Sequence, residues 1–180
     1  MAKGDKLNPY LLLVLSVLLL GAGFLMKSFP VLVFTGIAPL FALADHAGDK
    51  SFLKRLGKVP LILFWLTLEY IALEFNGDFS LANALVAKSE WLRWTKYTGV
   101  SGASLWILLA NLFLYFGLFR KWPHTVVFVI VIVGPILYSY TLPSEAMTKP
   151  ENGEWVARTS AWISVLVLLS AVVKELIRKK

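Results

Sequence analysis

Apolar residues fall into six runs along the chain, and polar residues are concentrated between the runs. A helix needs roughly 20 apolar residues to cross the hydrocarbon core of a bilayer, and most of the runs approach that length. Proline, glycine, asparagine or charged residues stand at their boundaries, as they do at helix ends. The pattern predicts an all-α membrane protein with six transmembrane helices, at about residues 9–26, 31–44, 60–75, 101–119, 123–140 and 159–173.

The segment between the third and fourth runs is too polar to cross a bilayer. Its Trp91, Trp94 and Tyr97 share one side of a helix, whereas Arg93 and Lys96 lie on the other side. A helix with an aromatic face and a basic face typically lies along the membrane interface. We predict an amphipathic interfacial segment in this loop, which the charge distribution below places on the outer side.

Composition agrees with a membrane protein. The chain is 58% hydrophobic and 16% charged, which excludes a water-soluble globule. A net charge of +7 could indicate a nucleic-acid partner, but the basic residues lie in the gaps between apolar runs, so we expect none. The chain has no cysteine, which excludes disulfides, thiolate metal sites and cysteine nucleophiles. Residues 1–180 are expected to form one helical bundle and a single domain.

The Lys and Arg residues predict the orientation of the bundle. With the amino terminus in the cytoplasm, twelve of the 18 lie on the cytoplasmic side and six on the other. Short cytoplasmic loops carry the excess of Lys and Arg in membrane proteins. Both termini are therefore expected in the cytoplasm.

A carboxylate interrupts the third run. Glu69 follows Pro60 by nine residues, among apolar and aromatic neighbours, so it would lie at bilayer depth, where an ionisable group needs a partner. In the fourth run Asn111 lies at a matching depth, on one helix face with Ser104, and such polar stripes are where membrane helices approach each other. We predict a polar intramembrane pair in which Asn111 donates its amide to the Glu69 carboxyl.

Two roles for Glu69 remain open at this point. It could line a cavity that holds a polar lipid group, because intramembrane ionisable residues are commonly functional. It could instead be a structural strut between neighbouring helices. Aromatic residues leave a similar choice between lipid or partner contact and an ordinary aromatic belt. The candidates for lipid or partner contact are Trp65, Trp91, Trp94, Ser104, Tyr97 and Trp106.

No metal or cofactor site is predicted. His46 and His124 fall at cytoplasmic helix ends and could join Asp45 as metal ligands, but no pair of them has the spacing of a metal motif. Histidines at a membrane interface more often cap helices or contact lipid phosphate. A Ser-His catalytic pair on the outer side is not expected, because no histidine is predicted there.

Three stretches carry a resemblance to a known family: WLTLEY at 65–70, EWLRWTKYTGVSG at 90–102 and ASLWILLANLF at 103–113. They resemble the membrane domain of bacterial apolipoprotein N-acyltransferase, in which a helix with an internal Glu, an aromatic outer loop and the pattern TG-x-x-G-x-S-x-x-x-x-x-x-N follow in this order. The pattern falls on Thr98, Gly99, Gly102, Ser104 and Asn111. The first two runs and the last are also similar to spans of that family.

The resemblance implies a protein of the bacterial inner (cytoplasmic) membrane whose partners would be phospholipid and either a lipoprotein or another membrane-complex subunit. Family members transfer an acyl chain from phospholipid to a lipoprotein amino terminus, using a Glu-Lys-Cys site in a nitrilase-like domain before the last span. Here the interval from Tyr140 to Trp162 is too short for such a domain, and cysteine is absent, so no catalytic residue is carried over.

Three interpretations follow from that difference. The first is a non-catalytic module that binds phospholipid or lipoprotein acyl chains, or that serves as a membrane subunit of a larger complex. The second is the membrane half of a lipoprotein acyltransferase that a separate catalytic subunit completes in trans. The third is an intramembrane enzyme that uses Glu69, although no second chemical group converges on this residue.

Overall fold

The computed structural model describes residues 8–26, 29–46, 58–74, 80–119, 123–143 and 155–178. Over these residues the chain is all-helical, with seven α-helices and no strand. The helices are α1 (Pro9–Leu25), α2 (Val33–Gly36), α3 (Ala38–Leu43), α4 (Lys58–Glu74), α5 (Val100–Phe119), α6 (Pro123–Thr141) and α7 (Trp155–Arg178). Three stretches are 3-10 helical: Pro30–Leu32, Ala44–His46 and Leu81–Lys96, the last of which we call the 3-10 segment.

The all-helical class predicted from the sequence is confirmed. Within the described ranges, Val100–Leu118, with a mean hydropathy of 1.6, is the one helical stretch that is long and apolar enough to cross a membrane by itself. Shorter apolar helices occupy Pro9–Leu25, Pro30–His46 and Thr125–Thr141. Six crossings therefore stay a prediction, and the predicted end of the third span at residue 75 lies outside the described residues.

Helix α5 is the centre of the bundle. It packs against α2, α3, α4, α6 and the 3-10 segment, while α1 covers α2 and α3, and α7 covers α4. Its inward side carries Ala103, Ile107 and Ala110, each fully buried. The small side chains of Ala103 and Ala110 allow close approach of neighbouring helices.

The contact between α1 and α2 is close enough to exclude side chains. A Cβ atom at Gly36 would lie 2.8 Å from the Leu20 side chain, and one at Gly23 would lie 3.0 Å from the backbone nitrogen of Val33. The Ser16 hydroxyl, also buried, donates to the Gly36 carbonyl. These small residues allow the two backbones to approach closely.

The 3-10 segment is helical where an amphipathic helix was expected, but it winds as two 3-10 stretches joined at Lys88, where φ is −126° and ψ is 52°. Three residues per turn place Trp91, Trp94 and Tyr97 above one another on one face. The segment packs on α5 and α6, and its Leu85 and Leu92 side chains are buried. Its position at a membrane interface stays a prediction.

Candidate functional site

Glu69 is fully buried on the inner face of α4 and accepts hydrogen bonds from three protein groups. The Trp65 indole N–H and the Leu81 backbone N–H each donate to Oε1 at 2.8 Å. The Ser80 hydroxyl donates to Oε2 over 3.4 Å. The first N–H groups of any helical segment lack partners within it, so the Glu69 carboxylate supplies one for the start of the 3-10 segment.

Two serines extend this cluster to α5. Ser80 precedes the 3-10 segment with extended backbone, and its hydroxyl accepts from the Ala82 N–H at 3.2 Å, as an N-cap residue does. The Ser104 hydroxyl oxygen lies 3.0 Å from the Ser80 hydroxyl oxygen and 3.3 Å from the Ala82 backbone nitrogen. Glu69, Ser80 and Ser104 together connect α4, the 3-10 segment and α5.

Asn111 occupies a different place, at the break between α2 and α3. Its Oδ1 accepts from the backbone N–H groups of Ile37 at 2.8 Å and Ala38 at 2.9 Å. Its amide donates to the carbonyls of Val33 and Ile107, both at 2.9 Å. In an unbroken helix the Val33 carbonyl would accept from the Ile37 N–H, so the Asn111 side chain is inserted between these two groups.

The predicted hydrogen bond from Asn111 to Glu69 is therefore not made, because both amide hydrogens of Asn111 go to backbone carbonyls. Both residues are buried and hydrogen-bonded: Asn111 bonds backbone groups only, whereas Glu69 bonds the Leu81 backbone N–H and the side chains of Trp65 and Ser80. Of the two roles considered for Glu69, its contacts are those of a strut, with Trp65, Ser80 and Leu81 as partners. The cavity described next is not lined by Glu69.

A groove of about 330 Å³ lies on the other side of α5. Its floor is α5, and its walls are α6, α7 and the end of the 3-10 segment. The lining side chains are almost all apolar: Leu105, Trp106, Leu109, Val131, Pro135, Trp155 and Val156, with Trp94, Thr98 and Gly102 at one end. Along α5 the groove extends from Gly102 to Leu109, which is ~10 Å at 1.5 Å per residue. Its volume lies within the range of small-molecule sites.

Three tryptophan side chains line this groove, and two of them donate their indole N–H to backbone carbonyls. Trp106 Nε1 donates to the Val131 carbonyl at 2.6 Å. Residue 135, which would normally donate to that carbonyl within α6, is a proline without an N–H, so Trp106 replaces the missing donor. Trp155 Nε1 donates to the Tyr97 carbonyl at 2.8 Å.

The six predicted contact candidates divide between these places. Trp94 and Trp106 line the groove and meet edge to face, with ring centroids 5.7 Å apart. Trp65 and Ser104 belong to the Glu69 cluster. Trp91 accepts at its carbonyl from the Ser139 hydroxyl at 2.7 Å, and Tyr97 is 43% exposed beside Lys96, whose Nζ lies 4.6 Å from the ring centroid.

A charged cluster at the opposite end of the bundle was missed by the sequence analysis. Lys58 Nζ donates to Asp45 Oδ1 at 2.6 Å, and the Tyr115 hydroxyl donates to Asp45 Oδ2. Lys58 also lies 5.2 Å from the centroid of the Tyr115 ring. Tyr115 follows Asn111 by four residues on the same polar face of α5, which is the signal that could have indicated it.

The part of the chain that the structure describes holds no group of three possible metal ligands. His46 Nδ1 lies 3.2 Å from the Ala42 carbonyl, one helical turn back, while Asp45 is engaged by Lys58 and Tyr115. The side chain of His124 lies outside the described residues.

Comparisons of the chain with models of known protein families, with curated proteins and with solved structures gave no match. The resemblance to the membrane domain of apolipoprotein N-acyltransferases therefore rests on the quoted residues alone.

Proposed function

We propose that the protein is an integral membrane module that crosses the bilayer six times. The distribution of side chains supports this: Glu69 and Asn111 are fully buried, whereas large aliphatic residues such as Leu18 (63%), Ile130 (61%) and Leu166 (63%) are exposed. Soluble monomers rarely expose contiguous apolar surfaces of this kind, whereas lipid accommodates them. Buried polar groups paired inside an apolar exterior are the usual arrangement of membrane helices.

The proposed location is the bacterial inner membrane, with both termini in the cytoplasm. The arrangement of helix ends supports alternating crossings. The end of α1 and the Pro30–Leu32 turn lie beside the 3-10 segment. At the other end, Asp45 after α3, Lys58 at the start of α4 and Tyr115 near the end of α5 form one cluster. Consecutive helices that exchange ends in this way are expected of a multi-pass bundle.

Within that membrane, the module binds an acyl chain of a phospholipid or lipoprotein in the groove on α5, without catalysis of its own. The observation that carries this proposal is an open apolar groove of about 330 Å³ between α6 and α7. On α6, Tyr138 lies on the same face as Val131 and Pro135 and is half exposed, and α7 exposes apolar side chains such as Ile163. A lipid chain could therefore enter the groove from the bilayer without crossing water.

The residues that carry the resemblance fit a scaffold. Asn111 bonds the break between α2 and α3, Ser104 bonds the start of the 3-10 segment, and Gly102 leaves room for Thr98, whose Oγ1 would lie 2.1 Å from a Cβ at position 102. These contacts are made inside the chain, which supports a structural inheritance of the family's membrane domain more than an inherited reaction.

A photoreactive phospholipid with a diazirine on its acyl chain tests the proposal. We expect it to label residues of the groove in the purified full chain. Leu109→Trp fills the floor and should reduce labelling about fifteen-fold, because loss of contact with two methylene groups costs about 1.6 kcal/mol. Leu118→Trp is the matched control, since Leu118 lies on the same helix and is 56% exposed.

Equal labelling of the two variants would contradict acyl binding in the groove. The same preparation, purified from membranes in mild detergent and analysed by mass spectrometry for lipids and proteins, distinguishes the second interpretation. Stoichiometric copurification of a soluble subunit, with acyl transfer only in its presence, would replace the non-catalytic module by an enzyme completed in trans.

A further inference from the structure

We propose that the lipid in the groove has a headgroup of net negative charge, and that Lys96 and Arg158 bind its phosphate just outside the groove. The binding site lies at the end of the groove that Trp94, Thr98 and Trp155 line, which we call the groove mouth. This inference rests on the proposed function and names the headgroup class of the lipid whose acyl chain the groove holds.

The groove mouth joins the end of the 3-10 segment to the start of α7. The Trp155 indole donates to the Tyr97 carbonyl at 2.8 Å and so connects the two elements. Lys96 precedes Tyr97, and its Nζ lies 4.6 Å from the centroid of the Tyr97 ring, a contact that holds the ammonium group beside the mouth. Arg158 follows Trp155 by three residues, so the two side chains are neighbours on the surface of α7. Each of the two elements therefore places one cation next to the mouth.

Both cations have donors left for a ligand. Arg158 is exposed and makes no hydrogen bond or ion pair with any residue that the structure describes. Side chains of a helix lean toward its amino terminus, so Arg158 leans toward Trp155 and the mouth. Lys96 is partly exposed, and its contact with the Tyr97 ring leaves its N–H groups for an acceptor. Arg93 differs, because it already donates to the Leu142 carbonyl at 3.0 Å.

The balance of charge at the mouth favours an anionic headgroup. The 3-10 segment and the first turn of α7 together carry one acidic side chain, Glu90, and four basic ones, Lys88, Arg93, Lys96 and Arg158. Basic residues near a bilayer surface attract anionic lipids. A zwitterionic headgroup brings a cation of its own next to the phosphate, and basic residues repel that cation. A headgroup of net negative charge therefore complements this site better.

The position of the two cations also matches the order of groups in a phospholipid. Glycerol joins the phosphate to the acyl chains, so a charged site must lie outside an apolar one and directly beside it. Lys96 and Arg158 each lie two residues from a lining residue, Thr98 and Val156, whereas Leu109 lies at the opposite end of the groove. A lipid with its phosphate at the mouth would extend one chain along α5 toward Leu109.

The experiment compares phosphatidylglycerol with phosphatidylcholine of the same acyl chains. Both compete with the photoreactive phospholipid for labelling of the purified full chain in a neutral detergent. At low salt we expect phosphatidylglycerol to compete about five-fold better, an effect of the size that two partly exposed ion pairs supply. The preference should fall toward equality at about 0.5 M salt, where exposed charges are screened.

Charge-removing variants locate the site. Lys96→Gln should lower the preference for phosphatidylglycerol to about two-fold, because one of two ion pairs is lost, and Lys96→Gln combined with Arg158→Gln should abolish it. Lys88→Gln is the matched control for the single variant. It removes the same charge from the same 3-10 segment, but Lys88 lies ~16 Å from Lys96 along the segment at 2.0 Å per residue. The preference should stay at about five-fold in this control.

The outcomes separate this inference from the proposed function. Equal competition by the two lipids in the parent chain overturns the selection of anionic headgroups, while labelling of the groove stands. A preference that survives in the double variant, or that falls as far in Lys88→Gln as in Lys96→Gln, overturns the assignment to the groove mouth. Failure of both lipids to compete overturns acyl binding itself. If the double variant does not fold, the comparison of Lys96→Gln with Lys88→Gln decides.

Discussion

Glu69 and Asn111 perform the same task at two places: each supplies hydrogen bonds that a discontinuity of the backbone leaves open. Glu69 accepts from the Leu81 N–H at the start of the 3-10 segment. Asn111 accepts from Ile37 and donates to Val33 at the break between α2 and α3. Without water in an apolar interior, such backbone groups must be bonded within the protein. The two side chains therefore stabilise the backbone conformation at these discontinuities, and their role is structural.

This assignment predicts independent contributions to stability. Glu69→Leu should lower the free energy of unfolding by about 2 kcal/mol and Asn111→Leu by about 3 kcal/mol, because each leaves buried N–H and carbonyl groups unbonded. Since the two residues share no hydrogen bond, the loss of unfolding free energy in the double variant should equal the sum of the two single losses to within about 0.5 kcal/mol. Denaturant unfolding in detergent micelles measures all three variants.

Leu68→Ile is the control for that series, since Leu68 neighbours Glu69 but is 42% exposed, and a change below about 0.5 kcal/mol is expected. A double variant that loses clearly less than the sum would show that the two side chains are coupled. That result would support the hydrogen bond between Asn111 and Glu69 that was predicted from the sequence.

The sequence predicts that Glu69 and Asn111 are buried but does not identify their hydrogen-bond partners. A carboxylate and an amide within apolar runs predict burial, and both are fully buried. Their partners are mostly backbone groups of Val33, Ile37 and Leu81, and every residue carries such groups. Residue identity does not show which backbone groups a helix break leaves without a partner, and the predicted hydrogen bond between Asn111 and Glu69 is therefore wrong.

At the scale of elements, α6 depends on its neighbour for the integrity of its own hydrogen bonding. Pro135 interrupts α6, and the Trp106 indole from α5 takes the carbonyl of Val131. Gly117 fixes the same pair of helices elsewhere, because a Cβ there would lie 2.8 Å from the backbone nitrogen of Thr125. The position of α6, which is one wall of the groove, is therefore fixed by contacts with α5, which is the floor.

Removal of the proline should make Trp106 dispensable. In the parent chain, the loss of the indole bond in Trp106→Phe should cost about 1 kcal/mol of unfolding free energy. In Pro135→Ala, the N–H of residue 135 can donate to the Val131 carbonyl. Loss of the indole hydrogen bond in Trp106→Phe should then lower the free energy of unfolding very little. A double-mutant cycle by unfolding in micelles measures the difference.

Trp155→Phe serves as the reference, because its bond to the Tyr97 carbonyl does not involve α6 and should cost the same in both backgrounds. An equal cost of Trp106→Phe in the two backgrounds would show that the indole does not substitute for the absent N–H.

Element boundaries were predicted most closely where the sequence places strong signals. Helices α5 and α6 begin and end within a residue of the expected 101–119 and 123–140. Helix α7 begins at Trp155, four residues before the expected start at 159. Polar residues between Trp155 and Ser160 argued for a loop, but the Trp155 indole bonds the Tyr97 carbonyl and Val156 is buried, so tertiary contacts extend the helix.

At the scale of the whole molecule, the described helices alternate between two ends. One end joins the 3-10 segment to the end of α1, and the other joins Lys58, Asp45 and Tyr115. If the first end faces outward, twelve Lys and Arg residues face the cytoplasm, as the positive-inside rule favours. Labelling of single introduced cysteines tests this proposed orientation.

The absence of native cysteine makes that measurement direct, because any single introduced thiol is the sole target of a maleimide. Val86→Cys lies in the 3-10 segment, where the parent side chain is 64% exposed, and should react with a membrane-impermeant maleimide in bacterial spheroplasts. Asn8→Cys lies at the exposed start of α1 and should react only after the membrane is permeabilised. Reaction of both in intact spheroplasts would place the two ends of α1 on one side and so refute a first crossing. Reversed reactivity would keep the bundle but invert it, and would place the groove's Trp94 end at the cytoplasmic leaflet.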